Sequence, residues 1–385
     1  MTPPLKGRPV GRCRARSLTI TTPAARNPAL ARALTPARTG AVARLLALVL
    51  VLTGCQGGPT GTPTPSESGG SAAGSPLRTS EIDVSVLAPR AAYTIFEVTD
   101  GACGVVARSG GDDVVPVASV FKLWVLDAAA RQVRAGTLRW DTPVIIRDEL
   151  RSDPSGEAYN IPTGTSVPLQ RMLTLMISIS DNTATDHVLD LVGRDAVSDV
   201  IRQLAPSGAA RTLPLLSTAD MARLKFVSPE VGREYAGLGP EQRAATVIGL
   251  PHRVPLPWLS DPTAVQRIDI STPSLVDDIE WFAAPSDLCR TMTDLARLSG
   301  EAGLQPVGQV LGTNPGMPPA QAQSWTTAWF KGGSEPGVLA LVWRLARGGR
   351  DRVVVVTATD PHHALVESPA GQRALTAVLA AAQNA

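Results

Sequence analysis

Ser119-Val120-Phe121-Lys122 opens a run read as a helix that continues to Ala135 and meets Gly136. On a helix, positions i and i+3 share a face, so Lys122 can lie beside the Ser119 hydroxyl. A free serine is a weak nucleophile and needs a base. Apolar neighbours such as Phe121 and Leu123 desolvate the ammonium, which lowers its pKa and lets the neutral amine accept a proton. Backbone N–H groups at the start of the helix can also help to stabilise a developing oxyanion. One S-x-x-K in a chain of this length is what composition alone predicts, so an ordinary helix start is the competing reading until other elements join it.

Upstream, Tyr93–Val98 and Gly104–Ala107 read as two strands joined at an Asp100-Gly101 turn. Downstream, Leu169–Ile179 is almost wholly apolar, and Thr183–Val192 and Ala196–Leu204 have helical spacing, as expected of core helices. Late in the chain Trp329-Phe330-Lys331, Val338–Leu345 and Val353–Thr359 are β-rich and split by Gly-rich turns, and a helix over Ser368–Ala382 follows. Strands at both ends around a helical middle imply one sheet built from the two termini.

Two more short motifs lie on this frame. Ser180-Asp181-Asn182 interrupts the apolar helix and precedes another, where Asp181 or Asn182 can simply be an N-cap. Lys331-Gly332-Gly333-Ser334 falls at the end of a strand and the start of a hairpin turn, where Lys331 can be an ordinary sheet lysine.

Taken in order, S-x-x-K, S-D-N and K-G-G resemble the signature of class A β-lactamases and penicillin-binding proteins, over about residues 86–385. The resemblance implies a β-lactamase-like α/β (α+β) fold. In it an antiparallel sheet from both termini is flanked by helices, with an all-helical lobe in between. It implies Ser119 as the acylated nucleophile, Lys122 as its base or base partner, and Ser180 as the proton relay to the leaving group. Asn182 would hold substrate and Lys122, Lys331 would supply positive charge near Ser180, and Gly333 and Ser334 would border the substrate. The backbone N–H groups of Ser119 and Ser334 would form the oxyanion hole.

Two departures qualify that picture. Class A enzymes carry a deacylating glutamate on a loop after this helical segment, but Ser207–Lys225 holds only Asp220, and Glu230 and Glu234 come later. Gly332 stands where the family has Thr or Ser, removing a hydroxyl that binds a substrate carboxylate. Arg344, on the next strand, is a candidate replacement, and Trp329 a candidate for the cleft border. The expectation is a serine hydrolase acting through an acyl-serine on a β-lactam, ester or amide, with weak β-lactam turnover. The combination is also similar to β-lactamase-like esterases. A non-turnover binder of β-lactams or cell-wall peptides and a D-Ala peptidase are the alternatives.

The front of the chain concerns location. Residues 1–44 hold nine Lys/Arg and no acid, and an apolar run then ends in Leu52-Thr53-Gly54-Cys55, which resembles a lipoprotein signal peptide. The expected organisation is a signal peptide over 1–54, a Gly/Pro/Ser/Thr-rich linker over 55–85 and a hydrolase domain over 86–385. Lipid on Cys55 would anchor the exported protein to the outer face of the bacterial cytoplasmic membrane. Cleavage leaves 27 basic against 34 acidic residues, an acidic protein with no basic stripe for nucleic acid. Cys103 and Cys289 can pair or remain free thiols. His187, His252, His362 and His363 lack metal-ligand spacing, so no metal or cofactor is expected, and the partner is a small-molecule or peptidoglycan-like substrate.

Overall fold

A computed structural model describes residues 82–384, apart from 154–155, 262 and 265–267. The expected signal peptide, Cys55 and most of the expected linker lie outside the described residues. Val84 already packs in the core, two residues ahead of the expected start of the domain.

Among the described residues there are nine strands: β1 (Arg90–Thr99), β2 (Ala102–Ser109), β3 (Val115–Pro116), β4 (Pro143–Ile145), β5 (Ser166–Pro168), β6 (Phe282–Ala283), β7 (Thr327–Glu335), β8 (Val338–Arg347) and β9 (Arg350–Thr359). Five form an antiparallel sheet in the order β2-β1-β9-β8-β7, so the two chain ends do share one sheet. The β1–β2 turn uses positive φ at both Asp100 and Gly101, the backbone that a two-residue hairpin favours.

Side-chain alternation divides the core into two layers. On β9, Val353 and Val355 face the helical lobe, while Val354 and Val356 face the other layer with the closing helix Pro369–Asn384. Both faces are covered, which is why β8 and β9 read as continuous apolar runs rather than alternating ones.

The lobe contains α1 (Lys122–Arg134), α2 (Leu169–Ser178), α3 (Asn182–Val192), α4 (Arg194–Leu204) and, after a long excursion, α5 (Pro285–Ser299). Every residue of α1 from Lys122 to Ala130 is buried, so α1 runs through the middle of the domain. Gly136, at positive φ just past its end, ends the helical run as expected. Cys103 of β2 and Cys289 of α5 form a disulfide with Cα atoms 6.4 Å apart, which settles the choice between a pair and free thiols.

The sequence expectation needs one boundary correction. Lys331 is not at a strand end: β7 continues to Glu335, and the hairpin turn is Pro336-Gly337. Gly337, at positive φ, supplies the turn. The stretch that follows Ser207 contains several helices among the described residues, including Thr218–Ala222 and Pro240–Arg253.

Candidate active site

Three chain segments meet where the lobe touches the sheet edge. Ser119 sits in a single 3-10 turn, Ala118–Phe121, that leads directly into α1. Ala118, just before it, has φ of 45°, a left-handed backbone unusual for alanine. Ser180 joins α2 to α3 and is also left-handed, with φ of 59°. The neighbouring Asp181 is the N-cap of α3: its side chain accepts from Ala184 N–H at 2.9 Å and from Ala158 N–H at 2.8 Å. The capping reading and the catalytic reading of Ser180-Asp181-Asn182 are therefore both satisfied, by different residues of the motif.

Lys122 and Lys331 converge on one hydroxyl. Ser180 Oγ lies 3.1 Å from Lys122 Nζ and 3.0 Å from Lys331 Nζ. Lys122 Nζ also reaches the Ser180 carbonyl at 2.7 Å and Asn182 Oδ1 at 2.6 Å, and Lys331 Nζ reaches the Gly332 carbonyl at 2.5 Å. Both amines are buried. Burial pulls the Lys122 pKa down to about 7, against the opposing pull of Asp181 and Asp186. Burial, and then the charge of Lys122, also hold Lys331 well below the ordinary lysine range.

A neutral Lys122 amine has two N–H bonds and one lone pair. Its donors match the Ser180 carbonyl and Asn182 Oδ1, which leaves the lone pair for the Ser180 O–H. Ser180 Oγ can then accept from Lys331 and exchange a proton with Ser119.

Ser119, Ser180, Asn182, Lys331, Gly333 and Ser334 line one cavity, which brings together every site residue that the sequence indicated within the described chain except Lys122, whose amine lies just behind it. Among the described residues the Ser119 hydroxyl makes no hydrogen bond, so it is free to meet a substrate.

β7 is the edge of the sheet, and its register explains the oxyanion site. In a two-residue hairpin the closing pair, Glu335 and Val338, is hydrogen bonded, so the next pair, Ser334 and Leu339, is not. Ser334 N–H therefore points off the sheet toward the cavity. Gly333 brings that edge against the nucleophile: a Cβ there would sit 2.3 Å from the Val117 carbonyl oxygen and 2.7 Å from Ser119 N. Gly333→Ala is expected to cost about 1–3 kcal/mol through overpacking and to slow acylation as well. Thermal unfolding together with a burst assay would check it.

Several sequence expectations do not reach the site. Arg344 pairs with Asp351 at 2.6 Å and stacks over Trp329, and neither Arg344 nor Trp329 is among the residues lining the cavity. Phe330 borders the cleft instead. A Cβ on Gly332 would come within 2.9 Å of the Phe330 ring, so this ring crowds the place where the family carries its hydroxyl. Asp220 caps a helix with Ser217 and pairs with Arg194 and Arg223, and Glu234 pairs with Arg253. His187 is held between Arg147 N–H at 2.9 Å and the Thr183 carbonyl at 2.7 Å, a structural role. No group of three or more His, Cys, Asp or Glu fit to hold a metal occurs among the described residues.

Sequence reasoning missed a buried acid–base cluster next to the nucleophile. Lys225 pairs with Glu335 and lies 3.5 Å from Glu280 Oε1. Glu280 Oε2 accepts from Ala118 N–H at 3.2 Å and Trp281 N–H at 2.8 Å. One signal was available: alternation puts Glu335 on the same strand face as Lys331 and Gly333.

Residues 85–230 match the model described as "Beta-lactamase enzyme family". The chain is similar in structure to a β-lactamase from Sphaerobacter thermophilus DSM 20745, with a TM-score of 0.53 at 22% identity over 78% of this chain and 93% of that one. A β-lactamase from Chitinophaga pinensis DSM 2588 aligns with a TM-score of 0.50 at 17% identity, over 79% and 96% of the two chains. At such identities the likeness establishes the fold. No curated protein matches the chain.

Proposed function

Starting from a domain with the β-lactamase-like serine hydrolase fold and a beta-lactamase enzyme family match over residues 85–230, we propose that it hydrolyses esters or amides with an uncharged, apolar acyl group through an acyl-Ser119 intermediate. The observation that carries this reading is the pair of buried amines, Lys122 and Lys331, sharing the Ser180 hydroxyl beside Ser119. Lys122 takes the Ser119 proton, directly or through Ser180, as Oγ attacks the carbonyl carbon. The N–H groups of Ser119 and Ser334 receive the oxyanion. As the tetrahedral intermediate collapses, Ser180 passes a proton to the departing alcohol or amine, and Lys122 replaces it.

The preference for uncharged acyl groups follows from the cleft walls. Ile177, Ile179, Phe226, Phe330, Leu339 and Leu341 line it. Gly332 offers no hydroxyl to a carboxylate, and the depressed Lys331 pKa weakens the one cation facing the cavity. A β-lactam with its ring carboxylate would therefore acylate Ser119 slowly. We further propose that the enzyme works outside the cytoplasmic membrane, tethered through Cys55.

Time-resolved intact mass spectrometry of the full chain tests the reading. With p-nitrophenyl butanoate the expected result is a butanoyl adduct that forms and decays with product release. With benzylpenicillin the expected adduct forms far more slowly. A fast, permanent penicillin adduct without ester turnover would instead support a β-lactam trap, and turnover of D-Ala-D-Ala peptides but not esters would support a peptidase.

A further inference from the structure

Glu335 belongs to none of the three motifs, yet it faces the nucleophile's cavity. It follows Gly333 by two residues, so its side chain leaves β7 on the face that touches Ser119 N, one pleat further along. Its partner across the hairpin, Val338, packs with Ala118 and Val276. Glu335 lines both cavities that Ser119 lines. The smaller has a volume of about 100 Å³ and is also bordered by Asn182, Phe226 and Trp281. That is room for more than one water.

Behind Glu335 the cluster is built to hold a carboxylate in place. Glu280 Oε1 is buried and has no hydrogen-bond donor, although Oε2 has two. Such an orphan is explained if Oε1 carries a proton and donates it to Glu335. In keeping with this, burial first, and then the charge of Glu335, push the Glu280 pKa well above the ordinary carboxylate range, against the pull of Lys225. Glu335 thus has an O–H from Glu280 and an ammonium from Lys225 behind it, and the Ser119 cavity in front.

We propose that Glu335 is the general base of deacylation, taking a proton from the water that attacks the Ser119 ester. The inference rests on the acyl-serine reading above and deepens it, supplying a carboxylate at the site where the loop over Ser207–Lys225 has no Glu and its Asp220 is paired with Arg194 and Arg223. The water oxygen bonds to the acyl carbon as one of its protons moves to Glu335. The tetrahedral oxyanion sits at the N–H groups of Ser119 and Ser334. Collapse breaks the bond from carbon to Oγ, and the proton on Glu335 returns to Ser119 Oγ, giving the acid product and a free serine. Asp153 is the other carboxylate bordering the smaller cavity, but it does not reach the larger one.

The test separates acylation from deacylation in the full chain with p-nitrophenyl butanoate. Glu335→Gln is expected to keep the p-nitrophenolate burst while the butanoyl adduct, followed by intact mass, decays about 100-fold more slowly or worse. In Glu335→Ala, added formate is expected to restore part of the decay rate, which a purely structural role would not do. If the single variant fails to fold, Lys225→Met/Glu335→Gln leaves no unpaired buried ammonium at the cluster and carries the same measurement. Decay at the wild-type rate in Glu335→Gln, or a comparable loss in Asp153→Asn alone, overturns the proposal. Ester turnover in wild type with no acyl adduct on Ser119 in either wild type or Glu335→Gln would instead overturn the acyl-serine reading itself.

Discussion

Ser119→Ala is expected to abolish the acyl adduct entirely and to drop ester turnover at least about a thousandfold, to whatever the oxyanion site and binding alone can support. Of the other serines that line the cavity among the described residues, Ser178 donates to the Thr174 carbonyl at 2.7 Å. Ser180 Oγ is engaged by two amines, Lys122 Nζ at 3.1 Å and Lys331 Nζ at 3.0 Å. Ser334 also lines the cavity, but alternation along β7 puts its side chain on the face opposite to Lys331 and Gly333. The substitution removes one oxygen from a half-buried position and leaves the helix start intact, so the fold should persist. Intact mass after incubation with ester is the measurement, and a butanoyl adduct surviving in this variant would mean that another residue is acylated.

Lys122→Met should slow acylation by about 10²–10⁴-fold, the range that a positioned base contributes. Methionine preserves much of the buried volume but offers no proton acceptor. It also leaves the Ser180 carbonyl and Asn182 Oδ1 without their donor, so melting must be measured beside the rate. The pH profile gives the sharper readout. Acylation needs the neutral amine, and burial sets the Lys122 pKa at about 7. The wild-type burst rate should therefore rise with pH through about 7 and level off above it, because deprotonation creates the base. In Lys122→Met that inflection should vanish. A profile unchanged by the substitution would move the base role elsewhere.

The local elements were legible because their signals are local. Apolar, β-branched runs marked β1, β8 and β9, and the mostly apolar stretch from Leu169 marked α2. The helix over Ser119–Ala135 was read correctly, except that its first turn, which holds the nucleophile, is 3-10. Short helices such as Pro206–Thr212 and Pro229–Ala236 were not read from the sequence, since each is too short to show a period and holds an internal Gly. The replacement of Trp329 by Phe330 at the cleft border turns on which face of β7 looks where, a matter of register against Trp343 and Leu341.

By itself, the amino-acid order determined the identities and sequence spacing of Ser119, Lys122, Ser180, Asn182 and Lys331, and the layout of strands around a helical middle. Spacing along a helix or strand decides which side chains share a face, and that information travels within a few residues. Only the tertiary structure decided that β7 is the exposed edge pressed onto the Ser119 turn, that Cys103 meets Cys289, and that Lys225, Glu280 and Glu335 gather behind the nucleophile. Those groups lie tens to more than two hundred residues apart, and their meeting depends on sheet register and on burial strong enough to force unlike charges and a shared proton together.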